Sequence, residues 1–208
     1  MSPRVPIIGG NFKCNGTCDF IEKHAAVLKA IPDNGVEVFV APTALQLIRL
    51  RQLLEGSHIH VAAQNCYFEA PGAWTGEIAA ELLLDAGIKS VIIGHSERRR
   101  KMGESDADSA RKAAKALKLG MQVIFCVGET LEEREAGRVD EVIQAQLEAL
   151  AALLEPAQWK NVVIAYEPVW SIGTGKVASP AQAQEVHASI RAYLTKRVSK
   201  EVAEEIRI

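Results

Sequence analysis

Polar side chains that can transfer protons or hold an anion stand where several apolar runs of the sequence end. In parallel α/β folds, functional groups collect where the strands end and the following loops begin. The residues at these positions are Asn11, Lys13, Gln64, Asn65, His95, Glu97, Cys126, Glu129 and Glu167. The imidazole and the carboxylates can act as acids and bases, and the ammonium can hold an anion. The set therefore indicates an acid–base enzyme that acts on an anionic substrate.

Each of these residues, taken singly, also has a purely structural explanation. A lysine at a strand end is usually a solvated surface charge, and a lone histidine in a turn is more often a hydrogen-bonded structural residue. If a helix begins after His95, its positive end disfavours the imidazolium and keeps a neutral ring that can donate a hydrogen bond. For Glu167 the alternative is a salt bridge at the rim, whereas burial in a closed site would make it a better proton acceptor.

A long loop, residues 168–178, follows Glu167 and precedes the next helix start. Loops of this length between a strand and a helix usually have a function. This loop has an apolar body and two glycines, Gly173 and Gly175, whose backbone N–H groups can approach an anion. The sequence therefore predicts a lid that closes over the site.

Motifs of other enzyme classes are incomplete or absent. The segment Gly173-Thr-Gly-Lys176 superficially suggests a nucleotide-binding loop, but Trp170 stands in place of its first glycine and Val177 in place of its Ser or Thr. The sequence contains no GxGxxG, GxSxG or HExxH pattern. Dinucleotide-binding, serine-hydrolase and zinc-peptidase functions therefore have no support.

The elements that must position these groups alternate along the chain. Apolar runs rich in Val and Ile predict strands, and they are near-continuous, as is typical of parallel strands covered on both faces. The predicted strands are 5–13, 36–41, 59–65, 90–95, 121–127 and 162–167. Capping sequences predict that helices begin after Ser105, Thr130 and Ser179. The alternation allows either a doubly wound sheet or a shortened (β/α)8 barrel, and the pattern alone does not choose between them.

The last residues, 205–208, have the pattern of the first half of a seventh strand. A barrel needs two further βα units beyond the six predicted here. The first and sixth strands, 5–13 and 162–167, would then have exposed edges that invite association with other chains.

Composition excludes several classes of partner. The 208 residues include 48 % hydrophobic and 24 % charged residues, which favours one globular domain. With 24 Lys and Arg against 26 Asp and Glu, the net charge of −2 gives no basic excess for nucleic acid or an anionic membrane. The basic cluster Arg98-Arg-Arg-Lys101 is more often a solvated or ion-paired turn, and Glu104 and Asp106 are near enough to offset it.

We expect a cytoplasmic protein, because the N-terminus lacks the pattern of a signal peptide and no stretch reaches 18 apolar residues. The four cysteines, at positions 14, 18, 66 and 126, form no CxxC pair and have no histidine at metal-ligand spacing. Neither a disulfide framework nor a metal site is therefore predicted.

Several longer motifs, spread over residues 7–208, resemble the triosephosphate isomerase family. They are Gly9-Gly-Asn11-Phe-Lys13-Cys14, Gln64-Asn65, Gly72-Ala-Trp-Thr75-Gly-Glu77, Ile93-Gly-His95-Ser-Glu97-Arg98-Arg99, Cys126-Val-Gly-Glu129 and Ala165-Tyr-Glu167-Pro-Val-Trp-Ser-Ile-Gly-Thr-Gly-Lys176. The resemblance implies a (β/α)8 TIM barrel in which about six βα units and the start of strand seven are present. Residues 1–208 would form a single, incomplete domain.

The resemblance also implies a reaction. Members interconvert dihydroxyacetone phosphate and glyceraldehyde 3-phosphate through an enediol(ate), in glycolysis and gluconeogenesis, without cofactor or metal. The family is itself a standard example of a glutamate base, a neutral histidine electrophile and a closing loop, and here these roles fall on Glu167, His95 and the loop 168–178.

The remaining roles are carried over by matching positions. Asn11 and Lys13 would bind substrate, Lys13 would also support the developing charge, Glu97 would contribute nearby, and the N–H of Gly173 would reach the phosphate. Supporting residues would be Ser96 and Cys126, and the lid would include Pro168, Val169, Trp170, Lys176, Val177 and Ala178. Ser171 and Val177 stand where many members have Ala and Thr, which leaves the lid interpretation intact.

The family is usually a homodimer in which the third loop, here 64–77, enters a pocket of its neighbour. The interface residues would be Cys14, Gln64, Asn65, Thr75 and Glu77. The glycine-rich phosphate loops that follow strands seven and eight in the family are absent from this sequence. Two hypotheses follow: an isomerase whose given sequence is incomplete, or a catalytically silent barrel fragment that acts only by association with other chains.

Overall fold

The computed structural model describes residues 4–208, so residues 1–3 of the predicted domain lie outside the described part of the chain. Within that part, six parallel strands form one sheet in the order of the sequence. They are β1 Ile7–Asn11, β2 Glu37–Ala41, β3 Ile59–Ala63, β4 Ser90–Ile93, β5 Gln122–Val127 and β6 Val162–Tyr166. Each lies inside a predicted run, so the strand predictions are confirmed. The strands are one to four residues shorter than predicted, so Lys13, His95 and Glu167 follow the strands, whereas Asn11 ends β1.

Helices connect successive strands and cover the outer face of the sheet. The α-helices are α1 Cys18–Lys29, α2 Leu47–Leu53, α3 Ala80–Asp85, α4 Ser96–Met102, α5 Asp106–Lys118, α6 Leu131–Glu135, α7 Val139–Ala151, α8 Pro180–Arg197 and α9 Lys200–Glu205. Short 3-10 helices occur at Ala44–Gln46, Pro156–Asn161 and Val169–Ser171. The predicted starts after Ser105, Thr130 and Ser179 are confirmed, since each hydroxyl accepts a backbone N–H inside a capping box.

Two apolar clusters lie on opposite faces of the sheet, which explains the unbroken apolar runs. The larger cluster lies between the sheet and the helices, and the smaller one fills the concave face. The smaller cluster consists of Phe39, Ala41, Ala62, Ile92, Ile124, Cys126 and Val163. The Phe39 ring of this cluster leaves room only for glycine at position 9 of β1, because a Cβ there would lie 2.1 Å from the ring. The fold is thus a six-stranded part of a TIM barrel, as expected.

The end of the chain fits the sequence expectation in part. Residues 205–208 were expected to begin a seventh strand; Glu205 instead ends α9, whereas Arg207 forms a parallel bridge with Val163 of β6. The Ile164 N–H donates to the Arg207 carbonyl oxygen at 2.9 Å. The guanidinium of Arg207 reaches across the concave face to Glu37. The edge of β6 is therefore partly covered.

The edge strand β1 is less well covered. Ile8 is 61 % exposed, although its counterparts on the central strands are buried. This observation confirms the predicted exposure at the first strand.

Candidate active site

His95 and Glu167 meet above the carboxyl ends of β4 and β6. Nε2 of His95 lies 2.8 Å from Oε1 of Glu167, and the side chains are only 12 % and 15 % exposed. The second carboxylate oxygen of Glu167 accepts the backbone N–H of Ser96 at 2.8 Å. Ser96 and Glu167, which are 71 positions apart in the chain, are therefore in direct contact.

The hydrogen bonds of His95 determine which nitrogen carries the proton. His95 is the N-cap of α4, and its Nδ1 accepts the backbone N–H of Glu97 at 3.2 Å. A nitrogen that accepts a hydrogen bond carries no proton, so the neutral ring holds its proton on Nε2, which faces Glu167. A helix does begin after His95, which is the condition on which the sequence argument for a neutral ring depended.

Lys13 and Glu97 form a second pair beside the first. Lys13 Nζ lies 3.2 Å from Glu97 Oε1, and both side chains are more than one third exposed. Burial raises the pKa of Glu97, but the hydrogen bond and charge of Lys13 outweigh it and leave this pKa below its usual value. Lys13 has φ +52, a left-handed backbone that few non-glycine residues adopt.

Neighbouring amides hold the strained backbone of Lys13. Asn11 Oδ1 accepts its N–H at 2.8 Å. Gln64 Nε2 donates to its carbonyl oxygen at 2.8 Å and to that of Ala41 at the same distance. Gln64 therefore ties the loop after β3 to the loop after β1.

A cavity of about 340 Å³ opens beside these groups. Its wall includes most of the residues that the sequence assigned to substrate binding and to the dimer interface. These are Asn11, Lys13, Cys14, Gln64, Asn65 and Glu77, and the predicted catalytic residues His95 and Glu97 also line the cavity. Glu167 lies behind His95 and is not part of this wall.

The start of the predicted lid is anchored in the protein interior. Val169 and Trp170 are 5 % and 7 % exposed, whereas Val177 near the other end is 85 % exposed. Trp170 Nε1 donates to Glu129 Oε1 at 2.8 Å, and the hydroxyl of Tyr166 and Nη1 of Arg134 reach the same oxygen at 2.9 Å. Burial and the Glu129 carboxylate raise the pKa of Tyr166. The first part of the loop is therefore fixed and the rest is exposed.

Cys126 lies in the concave cluster below Glu167. Burial raises the pKa of its thiol well above the usual value, the Glu167 carboxylate raises it further, and Arg99 acts in the opposite direction. The thiol therefore stays protonated at neutral pH and forms part of an apolar floor.

A profile of the family described as triosephosphate isomerase matches residues 6–208. The chain is also 48 % identical to triosephosphate isomerase from Paracoccidioides lutzii over 207 residues, which cover 99 % of this chain and 83 % of the relative. The chain belongs to the triosephosphate isomerase family.

Plant members of the triosephosphate isomerase family are similarly close. Cytosolic triosephosphate isomerase from Oryza sativa subsp. japonica is 49 % identical over 97 % of this chain and 79 % of the relative. The chloroplastic enzyme from Fragaria ananassa is 52 % identical over 97 % of this chain and 63 % of the relative. The chain thus spans between about three fifths and four fifths of the length of these relatives.

The family motifs fall into two groups in the structure. His95, Glu97, Lys13 and Asn11 converge, with Glu167 held directly behind the histidine. Of the other predicted groups, Gly173 lies on the exposed part of the loop and Thr75 at an exposed position, whereas Cys14 lies in the wall of the cavity.

Two supporting residues of the triosephosphate isomerase site escaped sequence reasoning. Gln146, buried on α7, clamps Gly128 by accepting its N–H at 2.8 Å and donating to its carbonyl oxygen at 3.1 Å. Gly128 cannot carry a side chain, because a Cβ there would lie 1.8 Å from the Glu167 carbonyl oxygen. A polar residue on the apolar face of a predicted helix was the signal that could have revealed Gln146. The second supporting residue is Arg99, which donates hydrogen bonds to the carbonyl oxygens of Gly94 and Cys126.

Residues 4–208 bring together no group of three His, Cys, Asp or Glu side chains that could hold a metal ion. In the same part of the chain, no helix is long and apolar enough to span a membrane.

Proposed function

We propose that the chain interconverts dihydroxyacetone phosphate and glyceraldehyde 3-phosphate by proton transfer through an enediol(ate), with Glu167 as base and His95 as electrophile. The observation that carries this proposal is the 2.8 Å contact between the protonated Nε2 of His95 and the Glu167 carboxylate. A hydrogen-bond donor and a proton acceptor are thus held at one point, as enolisation next to a carbonyl group requires.

When substrate binds, it must replace the hydrogen bond between His95 and Glu167. In the structure, the carboxylate of Glu167 accepts hydrogen bonds from Ser96 N and faces His95 Nε2–H. When a substrate carbonyl oxygen takes the Nε2–H, the carboxylate loses a stabilising donor and becomes a stronger proton acceptor. Glu167 then removes the carbon-bound proton while the Nε2–H stabilises the charge that develops on oxygen. Glu167, whose bound proton can exchange with solvent, then delivers a proton to the former carbonyl carbon. The proton of the neighbouring hydroxyl passes to the former carbonyl oxygen by way of His95 Nε2, so the carbonyl group is re-formed one carbon along.

Lys13 and the loop 168–178 supply the remaining functions. The ammonium of Lys13 borders the cavity next to His95 and would hold the substrate phosphate while supporting the enediolate charge. Asn11 fixes the Lys13 backbone, and Glu97 fixes its Nζ. The exposed part of the loop would close over the bound triose and bring the Gly173 N–H to the phosphate.

The test is turnover by the purified chain and its Glu167→Gln variant, both made in a host that lacks its own isomerase. The expected result is turnover by the parent and a loss of about 10²–10⁴-fold in the variant, with unchanged circular dichroism. Equal turnover in the two proteins would overturn the assignment, because it would come from a contaminant or from another base. The alternative of a silent fragment is not favoured, since relatives named as isomerases match nearly the whole chain.

We also propose that two copies associate through the loop 64–77. The loop is closed at its base, where the Tyr67 N–H donates to the Ile78 carbonyl oxygen at 2.8 Å, and Tyr67 packs against Trp74 with ring centroids 5.2 Å apart. The tip with Thr75 is exposed, as are the large apolar side chains Leu45, Ile48, Trp74 and Met102. Such a preformed projection and a cavity beside it fit a self-complementary pair.

Sedimentation of the parent and of Thr75→Arg tests this association. A dimer that becomes monomeric in Thr75→Arg, but not in the control Val27→Arg on α1, supports the proposal. A parent that is monomeric throughout would contradict it. A cytoplasmic location stays a prediction, because relatives include both a cytosolic and a chloroplastic enzyme.

A further inference from the structure

Arg99 lies on α4, one helical turn after His95, and its guanidinium contacts three separate parts of the fold. Nε donates to the Gly94 carbonyl oxygen at 2.7 Å, and Nη2 donates to the Cys126 carbonyl oxygen at 3.4 Å. Nη1 pairs with Asp106 at the start of α5. One side chain therefore joins the loop after β4, the end of β5 and a helix.

The surroundings of Arg99 leave it little freedom. Its side chain is 13 % exposed, and the guanidinium carbon lies 5.9 Å from the centroid of the Phe125 ring. Gly94 has φ +73, and a Cβ there would lie 2.8 Å from Nη2. The turn thus needs glycine both for its backbone and for the close approach of the guanidinium.

The backbone that Arg99 holds is the backbone that carries the reacting groups. The Gly94 carbonyl belongs to the peptide that leads into His95, and the next residue, Ser96, donates its N–H to Glu167. On the other side, Cys126 lies opposite Ala165 in the β5–β6 register, two residues before Glu167. A shift at either carbonyl therefore changes the separation of His95 and Glu167.

We propose that Arg99 is a positioning residue of the isomerase site, which sets the geometry between His95 and Glu167 without touching substrate. The inference rests on the proposed function. A lysine would keep the charge but would lose the planar fork that reaches two carbonyl oxygens and a carboxylate at once.

The neighbouring arginine provides a matched control. Arg100 lies on the same helix, is exposed, and makes no ion pair within residues 4–208. Arg100→Ala therefore removes the same chemical group without touching the Gly94 or Cys126 carbonyls.

The experiment compares Arg99→Ala, Arg99→Lys and Arg100→Ala with the parent in steady-state turnover of glyceraldehyde 3-phosphate. Arg99→Ala is expected to lower kcat on the order of 100-fold, because a misplaced pair of reacting groups costs this much. KM should change by less than about threefold, since Lys13 and the cavity wall are untouched. Low, non-denaturing guanidinium should restore part of the lost kcat in Arg99→Ala and should have no effect on Arg100→Ala.

A second readout does not depend on turnover. In the nitrogen NMR spectrum of ring-labelled protein, the parent should show a protonated Nε2 and an unprotonated Nδ1 for His95. Arg99→Ala should shift or broaden the Nε2–H signal, and Arg100→Ala should not. If Arg99→Ala does not fold, Arg99→Lys carries the test, and a kcat at least about tenfold below the parent is expected.

The outcomes separate the two proposals. A parent without turnover overturns the proposed function, while the His95 signal still decides the role of Arg99. An active parent whose Arg99 variants match Arg100→Ala in kcat and in the His95 signal overturns the role of Arg99. A loss of kcat in Arg99→Ala with an unchanged His95 signal also overturns it.

Discussion

The two sides of the site differ in how deeply their residues are buried. On the β4–β6 side, all of β4 and residues 162–164 of β6 are buried, and the side chains of His95 and Glu167 are only 12 % and 15 % exposed. On the β1 side, Lys13 is 38 % exposed, and Ile8 of the strand before it is 61 % exposed. The proton-transfer pair is therefore more enclosed than the cationic group, which is more than one third exposed.

The contrast shows which groups of the site the fold holds most closely in place. The strand β4, which has neighbours on both sides, and β6, whose outer edge is bridged at Arg207, precede the groups whose relative distance matters most to proton transfer. The strand β1 precedes a charge that acts over a longer distance, and hydrogen bonds with Asn11 and Gln64 order the backbone of Lys13.

Loss of the electrophile should have the largest effect. His95→Gln removes the Nε2–H that faces Glu167 and should lower kcat by about 10²–10⁴-fold. The control is His60→Gln, which alters an exposed histidine on β3. Steady-state kinetics check the prediction. An equal fall in kcat in both variants would contradict the assignment of His95 as the electrophile.

Core truncation should separate β6 from β1. Ile164 on β6 is 1 % exposed, so Ile164→Ala should lower the free energy of unfolding by about 2–5 kcal/mol. Ile8→Ala on β1 should change it by less than about 0.5 kcal/mol. Urea unfolding measures both, and similar losses would show that the two sides are equally firm.

The anchor at the start of the loop 168–178 should have a smaller effect. Glu129→Gln keeps an oxygen acceptor but loses the charge that pairs with Arg134, so the free energy of unfolding should fall by about 1–3 kcal/mol. The exposed Glu135→Gln on α6 is the control. Cleavage within residues 168–178 by a protease should also become faster in Glu129→Gln alone, and equal cleavage in both variants would contradict the anchoring role.

A buried ion network between the two sides should give the smallest effect and a defined pH dependence. Burial raises the pKa of Glu104, but hydrogen bonds from Lys112 and Arg98 outweigh it and hold this pKa below 4.5. Lys112 Nζ also donates to Asn65 at 3.3 Å. Since the folded-state pKa is lowered, the stability from ionised Glu104 is fully present above the unfolded value of 4.5 and is lost as the pH falls below it.

Urea unfolding over a pH series checks this dependence. Below pH 4.5 the parent should lose stability more steeply than Glu104→Gln, whose amide does not titrate in this range. If the free energy of unfolding fell equally with pH in the parent and in Glu104→Gln, the stabilising role of ionised Glu104 would be contradicted.

Some of this architecture could be predicted from the sequence. The near-continuous apolar runs located all six strands, because both faces of a parallel sheet are buried. Hydroxyl and carboxylate spacing located the capped helix starts. His95 and Glu167 stood out because a titratable group directly after a buried strand needs a reason to be there.

Other features could not be predicted, for a physical reason. Arg99 and Gln146 act on backbone carbonyl and N–H groups of Gly94, Cys126 and Gly128, and a backbone partner leaves no residue-type signal in the sequence. The pattern of residues 205–208 predicted strand pairing beside β6, which Arg207 makes, but it did not show that Glu205 completes α9.

The most direct test of the proton-transfer pair is isomerisation of dihydroxyacetone phosphate in D2O, followed by NMR of the product. If Glu167 removes a carbon-bound proton and exchanges it with solvent, the parent should place deuterium on carbon in the product, and Glu167→Gln should give neither product nor label. Product without carbon-bound deuterium, or the same labelling in Glu167→Gln, would contradict the account.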